Sequence, residues 1–158
     1  MSRLTALANG VLRIAATAAH SLLKAFWFVT RPRTYGAHAL ALTPEGKVVL
    51  VKLRYAPGWR IPGGGRPPHE DPVDAALREL REEIGMISHG EARLARDFEE
   101  PTDFKRDTAS LVIVRDVRYS PPRWSWEVEQ VCEADPQSLP AELSPVTARW
   151  IRDLTPLL

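Results

Sequence analysis

Gly64-Gly65-Arg66-Pro67-Pro68-His69-Glu70-Asp71-Pro72-Val73-Asp74-Ala75-Ala76-Leu77-Arg78-Glu79-Leu80-Arg81-Glu82-Glu83-Ile84-Gly85-Met86 is the stretch that decides the fold of this chain. Val73, Leu77, Leu80 and Ile84 recur at helical spacing and form the apolar stripe of a core-facing helix. Asp71 fits the N-cap, Pro72 the first helical position and Asp74 an acid in the first turn. Gly85 suits the left-handed residue that closes the helix. A second face is unusual. Each helical residue advances about 100°, so Glu79, Glu82 and Glu83 share an arc of about 100° beside the apolar stripe. Like charges three and four residues apart repel. A cation among them removes that repulsion, and oxygen-only ligands suit a hard divalent ion such as Mg²⁺ or Mn²⁺. A solvated acidic face would be the ordinary reading of these three glutamates taken alone.

The full spacing resembles the Nudix box, the signature of the Nudix hydrolases. It runs from Gly64 through Glu70, Arg78, Glu79, Glu82 and Glu83 to Gly85, with Leu80 and Met86 at its two aliphatic positions. Trp59-Arg60-Ile61-Pro62-Gly63-Gly64 resembles the lead-in found in many members. The resemblance implies an α+β fold, an α/β/α sandwich with a mixed sheet between helices. It also implies hydrolysis of a diphosphate bond in a nucleoside diphosphate joined to another group, with an ADP-ribose-like or (d)NTP-like substrate. Glu79, Glu82 and Glu83 carry over as metal ligands, with the backbone carbonyl of Gly63 as a further one, and the cofactor is Mg²⁺ or Mn²⁺. Arg78 is expected to orient the glutamates and Glu70 to steady the loop. Gly64 and Gly85 are conformational. Family members often take a general base from outside the box. Glu127 is the candidate here, Glu129, Glu99 and Glu100 are rivals, and a box glutamate such as Glu82 or Glu83 is a further option.

Substrate contacts are less sharply marked. Arg54, Trp59 and Arg60 are the candidates, while Tyr55, Trp124 and Trp126 offer further rings for stacking. Tryptophans beside prolines are more often packing residues, and surface arginines are more often simply solvated. ADP-ribose hydrolases of this family tend to carry a proline at the position of Thr102, and here Pro101 stands one residue short. The Arg66-Pro67-Pro68-His69 loop departs from the commoner glycine-containing turn and should stiffen the path into the helix. Two other readings compete. An isoprenoid diphosphate isomerase has a degenerate box and a catalytic cysteine; a nucleotide-sensing module lacks catalysis. The intact box disfavours both.

The rest of the chain bounds these expectations. Its 158 residues suffice for one ordinary domain. The lone cysteine, Cys132, excludes an internal disulfide and is compatible with a reducing compartment, so a cytoplasmic location is expected. It sits in an alternating run and reads as a buried strand residue. His20, His38, His69 and His89 show no ligand spacing and read as incidental.

The net charge is +1 but uneven. Residues 1–34 hold Arg3, Arg13, Lys24, Arg31 and Arg33 and no acid, so the remainder is net acidic. No basic patch with interleaved aromatics marks a duplex nucleic acid partner. Residues 1–34 read as a basic amphipathic helix and linker, and 35–158 as the hydrolase domain. The apolar stripe Leu4, Leu7, Val11, Ile14, Ala18, Leu22 and Phe26 is interrupted by Arg13, against a signal peptide or a membrane span. Packing on the domain or in a homodimer is favoured for residues 1–30, with membrane-surface contact as the alternative.

Strands are expected over 37–42 and 48–53 as a hairpin around Pro44-Glu45-Gly46, then over 59–61, 92–98, 110–117 and 127–132. A polar loop is expected from Glu99 to Asp107. A second helix is expected over 145–154, capped by Ser144 and opened by Pro145.

Overall fold

A computed structural model describes residues 33–102 and 105–157. The expected N-terminal helix over residues 1–30 lies outside them. Among the described residues no helix is long and apolar enough to cross a membrane.

The elements run β1 (Arg33–Ala41), β2 (Val48–Leu53), β3 (Trp59–Arg60), β4 (Gly63–Gly65), α1 (Pro72–Ile84), β5 (Met86–Ser88), β6 (Ala92–Thr102), β7 (Lys105–Val114), β8 (Arg118–Tyr119), β9 (Val128–Ala134) and α2 (Pro145–Leu154), closed by a short 3₁₀ turn. They form a four-stranded sheet in the order β4-β1-β7-β6, a three-stranded sheet β3-β2-β9 and a small pair β5-β8. The first sheet is mixed: β1 runs parallel to β7 and antiparallel to β4.

The layering follows from strand alternation. Ala37, Ala39 and Ala41 of β1 point to a core with Val49 and Val51 of β2, Val112 and Val114 of β7, and Ala76, Leu77, Leu80 and Ile84 of α1. Leu40 and Leu42 point the other way, to a core with Leu50, Leu111, Ile113 and Trp150, Ile151 and Leu154 of α2. A helix therefore covers each face, the arrangement expected for an α/β/α sandwich. Strands buried on both faces read as continuous apolar runs, as Val48 to Val51 of β2 do before Lys52.

Both helices begin as expected. Asp71 caps α1 by accepting hydrogen bonds from the N–H groups of Val73 and Asp74. Ser144 accepts from Thr147 N–H at α2. Gly85 ends α1 at φ 66°, and a Cβ there would meet Ser120 O at 2.2 Å, so two constraints select glycine.

Three expectations are corrected. β1 and β2 do not pair as a hairpin. The turn closes with Gly46 N–H donating to Thr43 O, but pairing stops at one bridge, Leu42 to Val48. β1 is already flanked by β4 and β7, and β2 by β3 and β9, so neither has a free side for the other. The segment from Glu99 to Asp107 is no loop: β6 and β7 stay paired to Thr102 opposite Lys105. Cross-strand pairing overrides polar composition there. β7 also ends earlier than expected, at Val114, before Asp116 turns the chain with φ 54°.

Candidate active site

The site is built where α1 faces β4. Glu83 is only 5% exposed, and its Oε2 accepts a hydrogen bond from Gly63 N–H at 2.9 Å. Burial pushes its carboxyl up to about 8, and the nearby charges of Glu79, Glu127 and Glu82 push the same way against the Gly63 hydrogen bond. Glu79 is raised too, first by burial and then by Glu82 and Glu127, while Arg78 opposes the shift.

The glycines make room for these acids. A Cβ on Gly64 would lie 2.8 Å from the Glu79 carboxyl group. One on Gly63, at φ 150°, would lie 2.4 Å from Ala37 O and 2.6 Å from His38 Nδ1. Only glycine lets β4 approach both β1 and the helix this closely.

Arg78 ties the loop to the helix. Its Nε and Nη2 donate to the two oxygens of Glu70 at 3.1 and 3.2 Å, a bidentate grip. Its Nη1 donates to Glu79 Oε1 at 2.6 Å and its Nη2 to Gly65 O at 3.1 Å. Glu82 Oε2 lies 3.6 Å from Nη1 and is the most open of the three acids, with its side chain 60% exposed. The Arg78 fork holds the Glu70 carboxyl below the usual range. Arg66 fixes the same loop by donating from Nη1 to Glu70 O at 2.7 Å and lying over the Tyr35 ring.

Glu127 reaches this cluster from another element. It precedes β9 rather than lying in it. Ser125 Oγ accepts from the N–H groups of Glu127 and Val128, and Arg54 N–H donates to Glu127 O. The Tyr55 hydroxyl donates to Glu127 Oε1 at 2.5 Å. Burial and this carboxylate push the Tyr55 hydroxyl well above its ordinary value. The rivals lie elsewhere. Glu129 is an exposed residue within β9, and Glu99 is on β6, the sheet edge opposite β4. Glu100 is also on β6, and its side chain is not described.

The three substrate candidates are placed differently. Trp59 is half-buried against the α2-side core, and Lys52 Nζ sits 5.8 Å from its ring. Its N–H donates to Glu142 O, and its carbonyl accepts from Ser144 N–H. Arg54 is exposed and donates from Nε to Ser125 O at 3.1 Å. Arg60 donates to Pro57 O, and its Nε is buried without a hydrogen-bond partner.

His38, which reads as incidental in the sequence, sits on β1 against Trp150, ring centroids 4.8 Å apart, and burial followed by Arg60 lowers it to about 4. Cys132 is half-buried in β9, and burial and Glu133 raise its thiol.

The donor set of this site is all oxygen, carried by acids whose mutual repulsion a cation would relieve, which fits a hard divalent ion. Among the described residues no three acidic or imidazole groups converge into a ready-made metal centre. Arg78 and Gly63 hold Glu79 and Glu83 instead.

The NUDIX domain family matches residues 32–154, and the chain belongs to that family. A diphosphoinositol polyphosphate phosphohydrolase 3-beta from Bos taurus is 41% identical over 70 residues, 44% of this chain and 42% of that protein. The chain thus spans less than half the length of the curated relatives it matches. Solved structures share the fold. A MutT NUDIX hydrolase from Burkholderia pseudomallei is 22% identical with a TM-score of 0.64, covering 76% of this chain and 96% of that one. A bifunctional NMN adenylyltransferase/ADP ribose pyrophosphatase from Francisella tularensis, complexed with AMP and a manganese ion, is 14% identical with a TM-score of 0.66, covering 92% and 48%.

Proposed function

We propose that this chain hydrolyses a diphosphate bond in a nucleoside diphosphate linked to another moiety, ADP-ribose-like or (d)NTP-like, with Mg²⁺ or Mn²⁺. The observation that carries the reading is the burial of Glu79 and Glu83 beside Glu82 and Glu127: burial first, and the like charges after it, raise the Glu79 and Glu83 carboxyls. Such perturbed acids, with the glycines of β4 packed closely against them, mark a candidate functional site.

Glu79, Glu82, Glu83 and the Gly63 carbonyl would hold the cation. Bound there, a divalent ion neutralises phosphate oxygens and lowers the pKa of a coordinated water. Glu127, oriented by Tyr55 and the Ser125 turn, receives the proton of the attacking water. Arg78 keeps Glu79 aimed by gripping Glu70 and Glu79 together. Arg54 and Arg60 contact the substrate phosphates, and Trp59 borders them. The raised Cys132 thiol argues against an isomerase, because a nucleophilic cysteine needs a lowered pKa. Residues 35–158 form the working domain in this reading.

A substrate panel tests it. ADP-ribose, NADH, diadenosine polyphosphates, nucleoside triphosphates and nucleotide sugars are offered with Mg²⁺, Mn²⁺ or EDTA. Release of phosphate or nucleoside monophosphate with metal alone is expected. Turnover that persists in EDTA, or in the Glu82→Gln and Glu83→Gln variants, contradicts the reading.

A further inference from the structure

The segment between β8 and β9 exposes two large rings. Trp124 is 73% and Trp126 72% exposed. Against the expectation for tryptophans beside prolines, neither is a packing residue. An indole has much to gain from leaving water, but its N–H still needs a polar partner. The interface of a lipid bilayer meets both demands. The turn that carries the rings is braced. Ser125 Oγ accepts hydrogen bonds from the N–H groups of Glu127 and Val128, and Ser125 O accepts from Arg54 Nε. A braced turn loses little freedom when it inserts. Its charge has one sign. Arg123 and Arg54 are exposed beside it, and no acid lies between Pro121 and Trp126.

A second basic and apolar element enters at the same end of the molecule. β1 and β2 reverse at the Gly46 turn, bridged by Leu42 and Val48, so β1 starts where β2 ends. Leu53, at the end of β2, pairs with Val128, which brings the tryptophan turn there too. The chain ahead of β1 holds five cations and no acid in residues 1–34, while the whole chain is +1, which leaves the remainder at −4. The apolar stripe of that segment runs into Phe26-Trp27-Phe28, followed by Arg31 and Arg33. A basic, apolar-faced stretch with aromatic residues is the composition of an interfacial anchor. An acidic body alone is repelled by an anionic surface, so the cations decide which end approaches it. Packing of residues 1–30 over the tryptophan turn would set their cations against Arg54 and Arg123, whereas anionic lipid attracts all of them.

We propose that the Trp124–Trp126 turn and residues 1–34 together dock this protein on an anionic phospholipid surface, with that end of the sheets toward the lipid. One weak anchor gives only marginal, reversible binding, and two acting together hold. The proposal stands whichever diphosphate the acid cluster cleaves.

The test sediments the full chain with vesicles of phosphatidylcholine, alone or mixed with phosphatidylglycerol. Partitioning should be about tenfold or more stronger with phosphatidylglycerol and should fall as salt rises. Trp124→Ala/Trp126→Ala removes two exposed rings and should weaken it about tenfold. Arg13→Glu/Lys24→Glu should weaken it by a similar factor or more, since each cation near the surface contributes about fivefold. The emission of Trp124 and Trp126, read as wild type minus the alanine variant, should shift to the blue when the mixed vesicles are added. Partitioning that ignores phosphatidylglycerol, or that the alanine variant retains in full, overturns the proposal. So does a wild-type dimer that binds no vesicles and that the alanine variant dissolves, because a second copy then covers the rings. Emission already blue and shielded from acrylamide without lipid, with no vesicle binding, also overturns it, because the chain's own leading segment then lies over them.

Discussion

The two helices share a local code and differ in what they carry. Each starts with a capping side chain followed by proline, and each buries one face against the sheets. On α2 the buried face is Trp150, Ile151 and Leu154 beside Thr147, and it does only packing. On α1 the buried set includes Glu83 beside Leu80 and Ile84. The contrast teaches that propensity and caps make a helix, while a charge set into its packed face makes a site. A buried carboxyl costs stability when ionised, and α1 accepts that cost.

The largest effect that sharpens this contrast is on turnover. Glu82→Gln and Glu83→Gln should each lower kcat by at least about a hundredfold, corresponding to about 3 kcal/mol of transition-state stabilisation. Substitutions on the exposed face of α2, such as Arg152→Gln, should leave kcat unchanged. Steady-state kinetics on a substrate identified by the panel checks both. An equal loss from the two helices would break the comparison.

Next come the apolar anchors. Leu80 and Leu154 are both fully buried, on opposite faces of the sheets. Each change to alanine should cost about 2–5 kcal/mol in urea unfolding. The similarity of the two losses is the expectation, since packing is what the helices have in common.

The pH dependence separates the helices again. The Glu83 carboxyl rises from an ordinary 4.5 to about 8 in the fold. Folding therefore favours its protonated form. In EDTA that contribution is fully present below pH 4.5 and is lost as pH rises toward 8, on the order of 5 kcal/mol. Glu83→Gln should flatten this slope and leave the EDTA-treated protein more stable than wild type at pH 8. Thermal melts across pH check it, and a wild-type slope retained in the variant counts against it.

The smallest effect lies at the caps. Asp71 Oδ1 accepts from Val73 N–H at 2.8 Å and Asp74 N–H at 3.4 Å, whereas Ser144 Oγ accepts one bond at 3.4 Å. Asp71→Ala should cost about 1 kcal/mol and Ser144→Ala less. Chemical unfolding resolves the order of the two.

Both helices and β2 were legible in the sequence because their signals are local: caps, proline at the first turn, apolar period and a closing glycine. The acidic face of α1 was legible for the same reason. Pairings set by the whole sheet were not. The hairpin expected around Gly46 fails because β1 and β2 each have other neighbours, a choice no local window contains. The ribbon through Thr102 and Lys105 looks like a polar loop until its partner strand is known. The pair β5-β8 is too short to show a strand pattern, and the glycine strand β4 carries no strand propensity of its own. In the site, Tyr55 and Glu127 are separated by 72 positions, so their hydrogen bond had no signature in spacing. His38 looked incidental because only the fold sets it against Trp150 and the close approach of Gly63.

The account depends on Glu83 and its neighbours exchanging protons for a divalent cation. Titrating the full chain with Mn²⁺ in a weakly buffered solution at pH 7, with proton release followed by a pH indicator, measures that exchange. Saturable binding that releases protons is expected, with release strongly reduced in Glu83→Gln. No saturable binding, or binding with the same proton release in that variant, would contradict it.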